Sequence, residues 1–230
     1  MIYAVSDFHG CYDKYKALLE KLNLQPEDRL YVLGDVVDRG PDGLKILLDM
    51  VKRENVTLLR GNHDETAALI LGSALDENCR IKVPGAEEAV AMWLSDGGMP
   101  TLEQFFRTLG AEEQKTVLNY IENASKYAVI NVNGKNHLLA HSIPEIEDFE
   151  ALGGMRGLDS MDFSFNETDY DDCYDENVVM VSGHTPTWLI DPACKGRIWK
   201  GNNHIAIDCG AVFGNPLGCI CLTTGEEFYV

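Results

Sequence analysis

Six side chains of types that bind divalent metal ions lie at five separate points of the sequence. They are two carboxylates, one amide and three imidazoles, with no thiolate: Asp7, His9, Asp35, Asn62, His141 and His184. Mixed oxygen and nitrogen ligands suit Mn, Fe, Zn or Co better than Ca, and Mg fits less well for the same reason. The set predicts a metal site, and the two oxygens of Asp35 are suited to bridging two ions. Two ions held in this way lower the pKa of a bound water and make it a nucleophile at neutral pH.

Each part of this set has a simpler explanation when it is taken alone. Asp7-Phe8-His9 is a spacing that occurs by chance, and Gly61-Asn62-His63 is typical of a turn. A single histidine after a strand is commonly a hydrogen-bonded structural residue. The joint occurrence after successive predicted strands is what indicates a site. His137 and His204 fall outside the clusters, and we interpret them as strand residues without a catalytic role.

The elements that must position these residues alternate between strands and helices. Short apolar runs rich in β-forming residues predict three strands, and helical patterns fill the intervals: strands at Ile2–Val5, Arg29–Leu33 and Val56–Leu59, helices at Tyr12–Leu22 and Leu44–Arg53. The strand ends recur about every 28 residues, the length of a βαβ crossover, which predicts parallel neighbours in one sheet. Because ligands of open α/β sheets bind outside the carboxyl ends of the strands, we expect the polar clusters to meet there.

The pattern changes after the third strand. Two amphipathic runs, Glu87–Leu94 and Glu112–Ile121, indicate a helical insertion at about 66–125 within a single domain of residues 1–230. Further strands are predicted at Tyr127–Asn131, His137–Ala140, Val178–Val181, His204–Ile207 and Leu217–Leu222. An acidic stretch at about 159–176 is expected to be a mobile surface loop, because its like charges repel and little apolar surface is present to fix it.

Composition narrows the possible partners and compartment. The net charge of −18 argues against binding to nucleic acid or an anionic membrane. The first residues, Met1–Val5, lack the basic segment of a signal peptide, and no apolar run approaches the roughly 20 residues that span a bilayer, so we expect a cytoplasmic protein. Seven cysteines without a C-x-x-C pair indicate neither a disulfide framework nor a zinc site, and Cys219 and Cys221 are expected on one face of a strand.

Five motifs, in this order, resemble the signature of the calcineurin-like metallophosphoesterases: Asp7-Phe8-His9-Gly10, Gly34-Asp35-Val36-Val37-Asp38-Arg39-Gly40, Gly61-Asn62-His63-Asp64, His141 and Gly183-His184. The similarity is to the branch that contains serine/threonine protein phosphatases, the bacteriophage lambda phosphatase and symmetrical diadenosine tetraphosphate hydrolases. It extends to Ile207–Gly214 and is weakest in the helical insertion and the acidic stretch. The resemblance implies an α/β fold of four layers, with two packed mixed β-sheets flanked by helices.

The resemblance also implies roles for individual residues. Two divalent ions, with Mn as the first expectation and Fe or Zn as alternatives, would share the six ligands: Asp7, His9 and Asp35 on one ion, and Asp35, Asn62, His141 and His184 on the other. Arg39 and Arg60 would bind the phosphate, and Arg156 is the nearest candidate for a further phosphate-binding arginine. His63, supported by Asp38, would protonate the leaving group as a general acid.

Two of the motifs disagree about the substrate. Asp64 stands where protein phosphatases usually have Glu and tetraphosphate hydrolases commonly have Asp, whereas Asp38 matches the phosphatases and not the Ala usual in the hydrolases. We expect a phosphatase that acts on phosphorylated proteins or small phosphate monoesters by direct attack of a metal-bridging hydroxide. Symmetrical dinucleoside tetraphosphate hydrolysis is the alternative, and a non-catalytic metal-binding interaction module is a third.

Overall fold

Two five-stranded β-sheets form the centre of the structure, a computed structural model that describes residues 1–75 and 86–230. The first sheet contains, in spatial order, β10 (Glu227–Tyr229), β9 (Gly218–Cys221), β1 (Ile2–Val5), β2 (Arg29–Leu33) and β3 (Val56–Leu59). β1, β2 and β3 are parallel, with Val5 opposite Val32 and Leu33 opposite Leu59. The three strands predicted from the spacing of the first 65 residues are therefore confirmed as parallel neighbours.

The second sheet has the same mixed character. Its spatial order is β4 (Tyr127–Val132), β5 (Lys135–Ala140), β6 (Val178–Ser182), β8 (His204–Ala206) and β7 (Trp199–Gly201). β5, β6 and β8 are parallel, while β4 and β7 are antiparallel edge strands. The sequence patterns did not indicate β7 or β10, which have three residues each.

Eight α-helices surround the sheets in the part of the chain that the structure describes. Their bounds are α1 (Tyr12–Leu22), α2 (Gly43–Met50), α3 (Asn62–Leu75), α4 (Ala86–Trp93), α5 (Met99–Arg107), α6 (Ala111–Glu122), α7 (Ile146–Ala151) and α8 (Thr187–Ile190). The helical region begins at Asn62, earlier than the expected residue 66, because the third motif itself forms the first turn of α3. Between α4 and α5, Gly97 has a φ of 105° and breaks the helical path.

Side chains along each strand point alternately to the two faces of the sheet, and the packing on these faces gives four layers. Val5, Val32 and Leu58 contact the helices packed on the outer face of the first sheet. Their neighbours, such as Ala4 and Leu33, point the other way and pack between the sheets, with Leu139 and Val181 of the second sheet. The outer face of the second sheet, with Leu138 and Met180, packs against α7 and the acidic stretch. This arrangement of two mixed sheets flanked by helices confirms the predicted fold class.

Cys219 and Cys221 lie on one face of β9, as the i and i+2 spacing predicts. Both are buried in the core between the first sheet and its helices, and Ile220 between them points into the core that separates the sheets. The other cysteines that the structure describes are also free thiols. Cys79 lies outside the described residues. In the ranges 1–75 and 86–230, no helix is both long and apolar enough to cross a membrane.

The acidic stretch differs from its expected character. Residues 161–177 contain no helix or strand, but Met161, Phe163 and Tyr174 are buried against the outer face of the second sheet. The Tyr174 hydroxyl donates to the Pro144 carbonyl at 2.7 Å, and Asp169 accepts the backbone N–H of Ile146 at 2.7 Å. The expectation that little apolar surface fixes this loop was wrong, because three large side chains among the carboxylates supply it.

Candidate metal centre

The six predicted metal ligands lie where strands of both sheets end. Asp7 and His9 follow β1, Asp35 follows β2, and Asn62 begins α3 after β3. From the second sheet, His141 follows β5 and His184 follows β6. Because the two sheets pack face to face with Ala4, Leu33 and Val181 in their shared core, these carboxyl ends meet at one edge of the molecule. The structure therefore brings all six side chains together.

The backbone that carries these residues is unusual. Ten non-glycine residues in the described chain have positive φ angles, and four of them are asparagines, which tolerate this region. The other six are all predicted site residues: Asp7, His9, Asp35, Asp38, Arg39 and His184. A residue held in this conformation costs on the order of 1–3 kcal/mol and persists only where its surroundings impose it. Strained backbone thus coincides with the candidate site.

Two glycines allow the loops to approach each other closely. A Cβ atom on Gly61 would overlap the carboxylate and the backbone nitrogen of Asp35, and one on Gly183 would overlap the Asp7 carboxylate and the Ser6 hydroxyl. The Gly183 position also lets the next residue, His184, donate its backbone N–H to Asp7 at 3.1 Å. Any side chain at either glycine would displace a predicted ligand.

One group of candidate ligands forms around His9. Its Nε2 lies 3.5 Å from Asp35 Oδ2 and 3.9 Å from Asp7 Oδ1. Its Nδ1 donates to the Val37 carbonyl at 2.9 Å, which leaves Nε2 as the nitrogen with a lone pair. Burial lowers the pKa of His9 to about 4, so the imidazole is neutral, the form that binds a metal. His63 Nε2 also lies near this group, 3.9 Å from Asp35 Oδ2.

The second group forms around His141. Its Nε2 lies 2.9 Å from Asn62 Oδ1, 3.1 Å from His184 Nδ1 and 3.4 Å from Asp35 Oδ1. Its Nδ1 donates to the Leu33 carbonyl at 2.8 Å. Asp35 therefore directs one oxygen to each group, as a bridging ligand must.

The charge balance of the cluster fits a cation. Burial lowers the pKa of His141, but the neighbouring carboxylates of Asp35 and Asp7 outweigh burial and raise it to about 10. The pKa of Asp35 lies well below its usual range, because the imidazoles around it outweigh the effect of burial. Burial raises the pKa of Asp7 to about 6. The buried carboxylates thus favour a positive charge at His141 Nε2, where a divalent ion would take the place of the proton, and Asn62 Oδ1 and His184 Nδ1 lie within 3.1 Å of this atom as further donors to a metal.

Beside the cluster, His63 and Asp38 form a buried pair. His63 Nδ1 donates to Asp38 Oδ2 at 2.8 Å, and the same oxygen accepts the indole N–H of Trp93 at 2.7 Å. The backbone N–H of Asp38 donates to the Thr101 hydroxyl at 2.9 Å. Burial lowers the pKa of His63, but the hydrogen bond with Asp38 and the charge of Asp35 outweigh it and raise the pKa above its usual value.

Arg39 connects the cluster to this pair. Its guanidinium lies 2.6 Å from His9 Nε2 and 2.9 Å from His63 Nε2. On the solvent side it meets Asp96, whose carboxylate is 3.4 Å from Arg39 Nη2 and also 3.4 Å from His63 Nε2. The ring of Phe213 lies 5.8 Å from the guanidinium carbon. A planar guanidinium can donate two parallel hydrogen bonds to a carboxylate or a phosphate.

Asp64 joins the loops of the second and third motifs through hydrogen bonds. Its carboxylate accepts the backbone N–H groups of Asp35 at 2.8 Å, Val36 at 3.0 Å, Val37 at 3.3 Å and Gly61 at 3.1 Å. The side chain is fully buried, and burial together with the charge of Asp35 raises the pKa of Asp64 to about 7. Asp64 therefore fixes the second motif against the third, a role that the sequence did not indicate.

The two other arginines predicted to bind phosphate do not contact the cluster. Arg60 lines a separate cavity with Tyr127 and Asp159, and its Nε is buried without a hydrogen-bond partner. Arg156 is exposed after α7, and no side-chain hydrogen bond or ion pair joins it to the site within the described ranges. Of the three arginines, only Arg39 reaches the candidate ligands in this structure.

Sequence reasoning missed Trp93, Asp96 and Thr101 as site residues. All three lie in the helical insertion, which carries no recognised motif. The Asp96-Gly97-Gly98 interruption of a helical pattern was a usable signal, since glycines inside a helix mark a backbone position with a special requirement. Here the Gly97 carbonyl accepts the backbone N–H of Arg39 at 2.8 Å. His137 and His204 lie in strands away from the cluster, as expected.

This chain belongs to the calcineurin-like phosphoesterase family, whose model matches residues 1–214. The family uses a dinuclear divalent metal centre, and the chain is a phosphoester hydrolase of this class. It is 28% identical to the asymmetrical bis(5'-nucleosyl)-tetraphosphatase PrpE of Anoxybacillus flavithermus, over 94% of this chain and 89% of that protein.

Two further similarities are more limited. The chain is 42% identical to the symmetrical bis(5'-nucleosyl)-tetraphosphatase of Buchnera aphidicola, but this match covers only 27% of this chain and 23% of that enzyme. A protein serine/threonine phosphatase from Saccharomyces cerevisiae has a similar structure, with a TM-score of 0.56 and 14% identity over 97% of this chain and 73% of that one. The structural likeness establishes a shared fold, and the short sequence match is confined to about a quarter of each chain.

Proposed function

We propose that this chain hydrolyses phosphate monoesters with two divalent metal ions. The proposed ligands are Asp7, His9 and Asp35 for one ion and Asp35, Asn62, His141 and His184 for the other. The observation that carries the proposal is the position of Asp35, whose Oδ2 lies 3.5 Å from His9 Nε2 and whose Oδ1 lies 3.4 Å from His141 Nε2. Two ions, when bound, activate a water and stabilise charge on phosphoryl oxygens. The mixed donors favour Mn, with Fe or Zn as alternatives.

In this proposal Arg39 binds and orients the phosphate. Its guanidinium already spans the distance between His9 and His63, and the charges of a phosphate would draw it away from the exposed Asp96 carboxylate. Bidentate hydrogen bonds from a guanidinium fix the rotation of a phosphoryl group as well as its position. We leave Arg60 and Arg156 out of the phosphate site, because neither contacts the cluster.

His63 is the proposed general acid. An alkoxide leaving group needs a proton, and Asp38 favours the imidazolium form of His63 through the 2.8 Å hydrogen bond to Nδ1. His63 Nε2 then faces the substrate side, close to Arg39. Esters with poor leaving groups, such as phosphoserine, phosphothreonine or sugar phosphates, gain most from such an acid. The buried Asp38–His63 pair is therefore the reason to place monoesters first.

Hydrolysis of dinucleoside tetraphosphates is the second candidate. It is supported by the names of the similar proteins, asymmetrical and symmetrical bis(5'-nucleosyl)-tetraphosphatases, and by Asp64 in the third motif. The leaving group in that reaction is a nucleotide phosphate, which needs little protonation. The two candidates therefore predict different contributions from His63.

The test is phosphate release by purified, metal-stripped protein after Mn is added back. The substrates are p-nitrophenyl phosphate, a phosphothreonine peptide and diadenosine tetraphosphate, and the products of the last are separated by chromatography. Cleavage of the monoesters that depends on Mn is the expected result. Preferential cleavage of the dinucleotide would select the second candidate, and metal binding without cleavage of any substrate would leave a non-catalytic metal-binding module.

A further inference from the structure

A cavity of about 470 Å³ opens directly beside the proposed general acid. Asn62 and His63 form its inner wall, so it is continuous with the candidate metal centre. Met92 and Trp93 of α4 and Phe165 of the acidic stretch form the outer walls. A volume of this size, with mostly apolar walls and a few polar groups, is typical of sites for small organic ligands.

The walls of this cavity expose apolar side chains on an acidic protein. Met92 is 71% exposed and Phe165 is 58% exposed, although the chain carries a net charge of −18. The cavity's polar groups are hydroxyl, amide and imidazole groups and the Asp96 carboxylate, and no Lys or Arg lines it in the described ranges. Such a surface does not suit an anion. It suits an uncharged aromatic ring whose N–H or O–H groups donate to a carboxylate.

The position of the cavity indicates which part of a substrate enters it. Arg39 and Asp35 approach His63 Nε2 at 2.9 Å and 3.9 Å, on the side where the phosphate binds in the proposed function, and neither lines the cavity. A general acid contacts the oxygen of the leaving group, so the group attached to that oxygen continues past His63 into the cavity.

We infer that this cavity binds the nucleoside of a nucleotide substrate, an assignment that rests on the proposed function. The base would lie against Phe165 and Met92, and Asp96 would accept a hydrogen bond from it. An extended phosphopeptide needs a strand edge or a long groove for its main-chain hydrogen bonds, and the described residues that line this cavity lie on helices and loops. The inference specifies the leaving group, which the metal centre by itself does not.

The experiment compares adenosine 5'-monophosphate with ribose 5-phosphate, which has the same leaving oxygen and sugar but no base. We expect kcat/KM of the Mn-loaded protein to favour the nucleotide by about tenfold, the size of a base-stacking contribution. Phe165→Ala should reduce this ratio towards one. Phe106→Ala is the matched control, because Phe106 is 48% exposed in α5 and does not line the cavity, so its ratio should stay unchanged. Diadenosine tetraphosphate is the third substrate. It shows whether the nucleoside that enters the cavity belongs to a mononucleotide or to a dinucleotide.

Adenosine binding, measured by calorimetry on the same proteins, separates the two proposals. Cleavage of both monoesters without preference for the nucleotide, or a preference that Phe165→Ala leaves intact, would overturn the nucleoside site and keep the phosphoesterase. If no substrate is cleaved, the proposed function fails. In that case, adenosine binding that Phe165→Ala abolishes and Phe106→Ala retains would still support the cavity, and no adenosine binding would refute it.

Discussion

The loops that carry the candidate metal ligands and the helical insertion meet at the same site but are built differently. The loops are buried, with Asp7, His9 and Asp35 each about 2% exposed, and backbone hydrogen bonds join them, such as His9 N–H to the Asp35 carbonyl at 2.9 Å. The insertion contributes fewer contacts, through Trp93, Asp96 and Thr101, and the Asp96 side chain is 62% exposed. The difference teaches that the loops fix the positions of the candidate metal ligands, whereas the insertion supports the side chains beside them, Asp38, His63 and Arg39.

The strongest test of the loops is Asp35→Asn. The change removes the carboxylate shared by both ligand groups, so activity should fall on the order of 1000-fold, beyond the roughly 10–100-fold cost of losing a residue behind a ligand. Metal content by elemental analysis should fall as well. Asp13→Asn, an exposed residue of α1, is the control. Full metal content and activity in Asp35→Asn would refute the bridging role.

Asp64→Asn tests how firmly the loops are held. The amide oxygen accepts at most two hydrogen bonds and the amide NH2 accepts none, so at least two of the four backbone N–H groups lose their acceptor. The free energy of unfolding should therefore fall by about 3 kcal/mol. Urea denaturation measures this change, with Glu20→Gln on the exposed face of α1 as the control. A loss no larger than that of the control would show that the loops do not depend on Asp64.

His63→Asn tests the residue that lies between the candidate-ligand loops and the helical insertion. If His63 is the general acid, hydrolysis of ribose 5-phosphate should slow by about 100-fold, and that of p-nitrophenyl phosphate much less, because nitrophenolate leaves without a proton. The comparison of the two substrates in one variant is its own control. Equal slowing of both substrates would contradict the acid role and leave His63 as a residue near the metal.

Trp93→Phe tests whether the helical insertion positions His63, the proposed general acid, through Asp38. The ring stays, but Asp38 Oδ2 loses the indole N–H at 2.7 Å, so the carboxylate can turn away from His63. We expect about a tenfold lower kcat on ribose 5-phosphate, the value of one hydrogen bond to a charged group, with a smaller effect on p-nitrophenyl phosphate. Trp199→Phe in β7 is the matched control. The same loss on both substrates would indicate a general disturbance of the insertion.

The smallest effect is expected from Asp96→Asn. Removing the exposed carboxylate 3.4 Å from Arg39 Nη2 frees the guanidinium for phosphate, so KM for ribose 5-phosphate should fall by about two- to fivefold. Glu103→Gln, whose exposed carboxylate pairs with Arg107 in α5, should leave KM unchanged. A raised KM in Asp96→Asn would mean that Asp96 holds Arg39 in its binding position.

Much of the candidate site was predictable because its residues follow strands that local patterns identify. β1, β2 and β3 have the predicted bounds, and the ligands attached to them needed only the rule that carboxyl ends of parallel strands meet. His141 and His184 also follow predicted strands and were included on that ground, but no local pattern indicates that the second sheet packs on the first and so brings them to the same edge. The direction of Arg60 was not predictable, because the residue's position in a motif does not determine which cavity its side chain enters.

The sequence by itself determined the α/β class and the types and order of the candidate metal ligands, because strand alternation and βαβ spacing act over a few residues to a few tens of residues. Only the tertiary structure decided that Trp93 donates to Asp38 across 55 residues and that Phe165 of the acidic stretch lines the same cavity as His63. Such contacts depend on how separate elements pack, and packing is a property of the whole core, which no local spacing encodes.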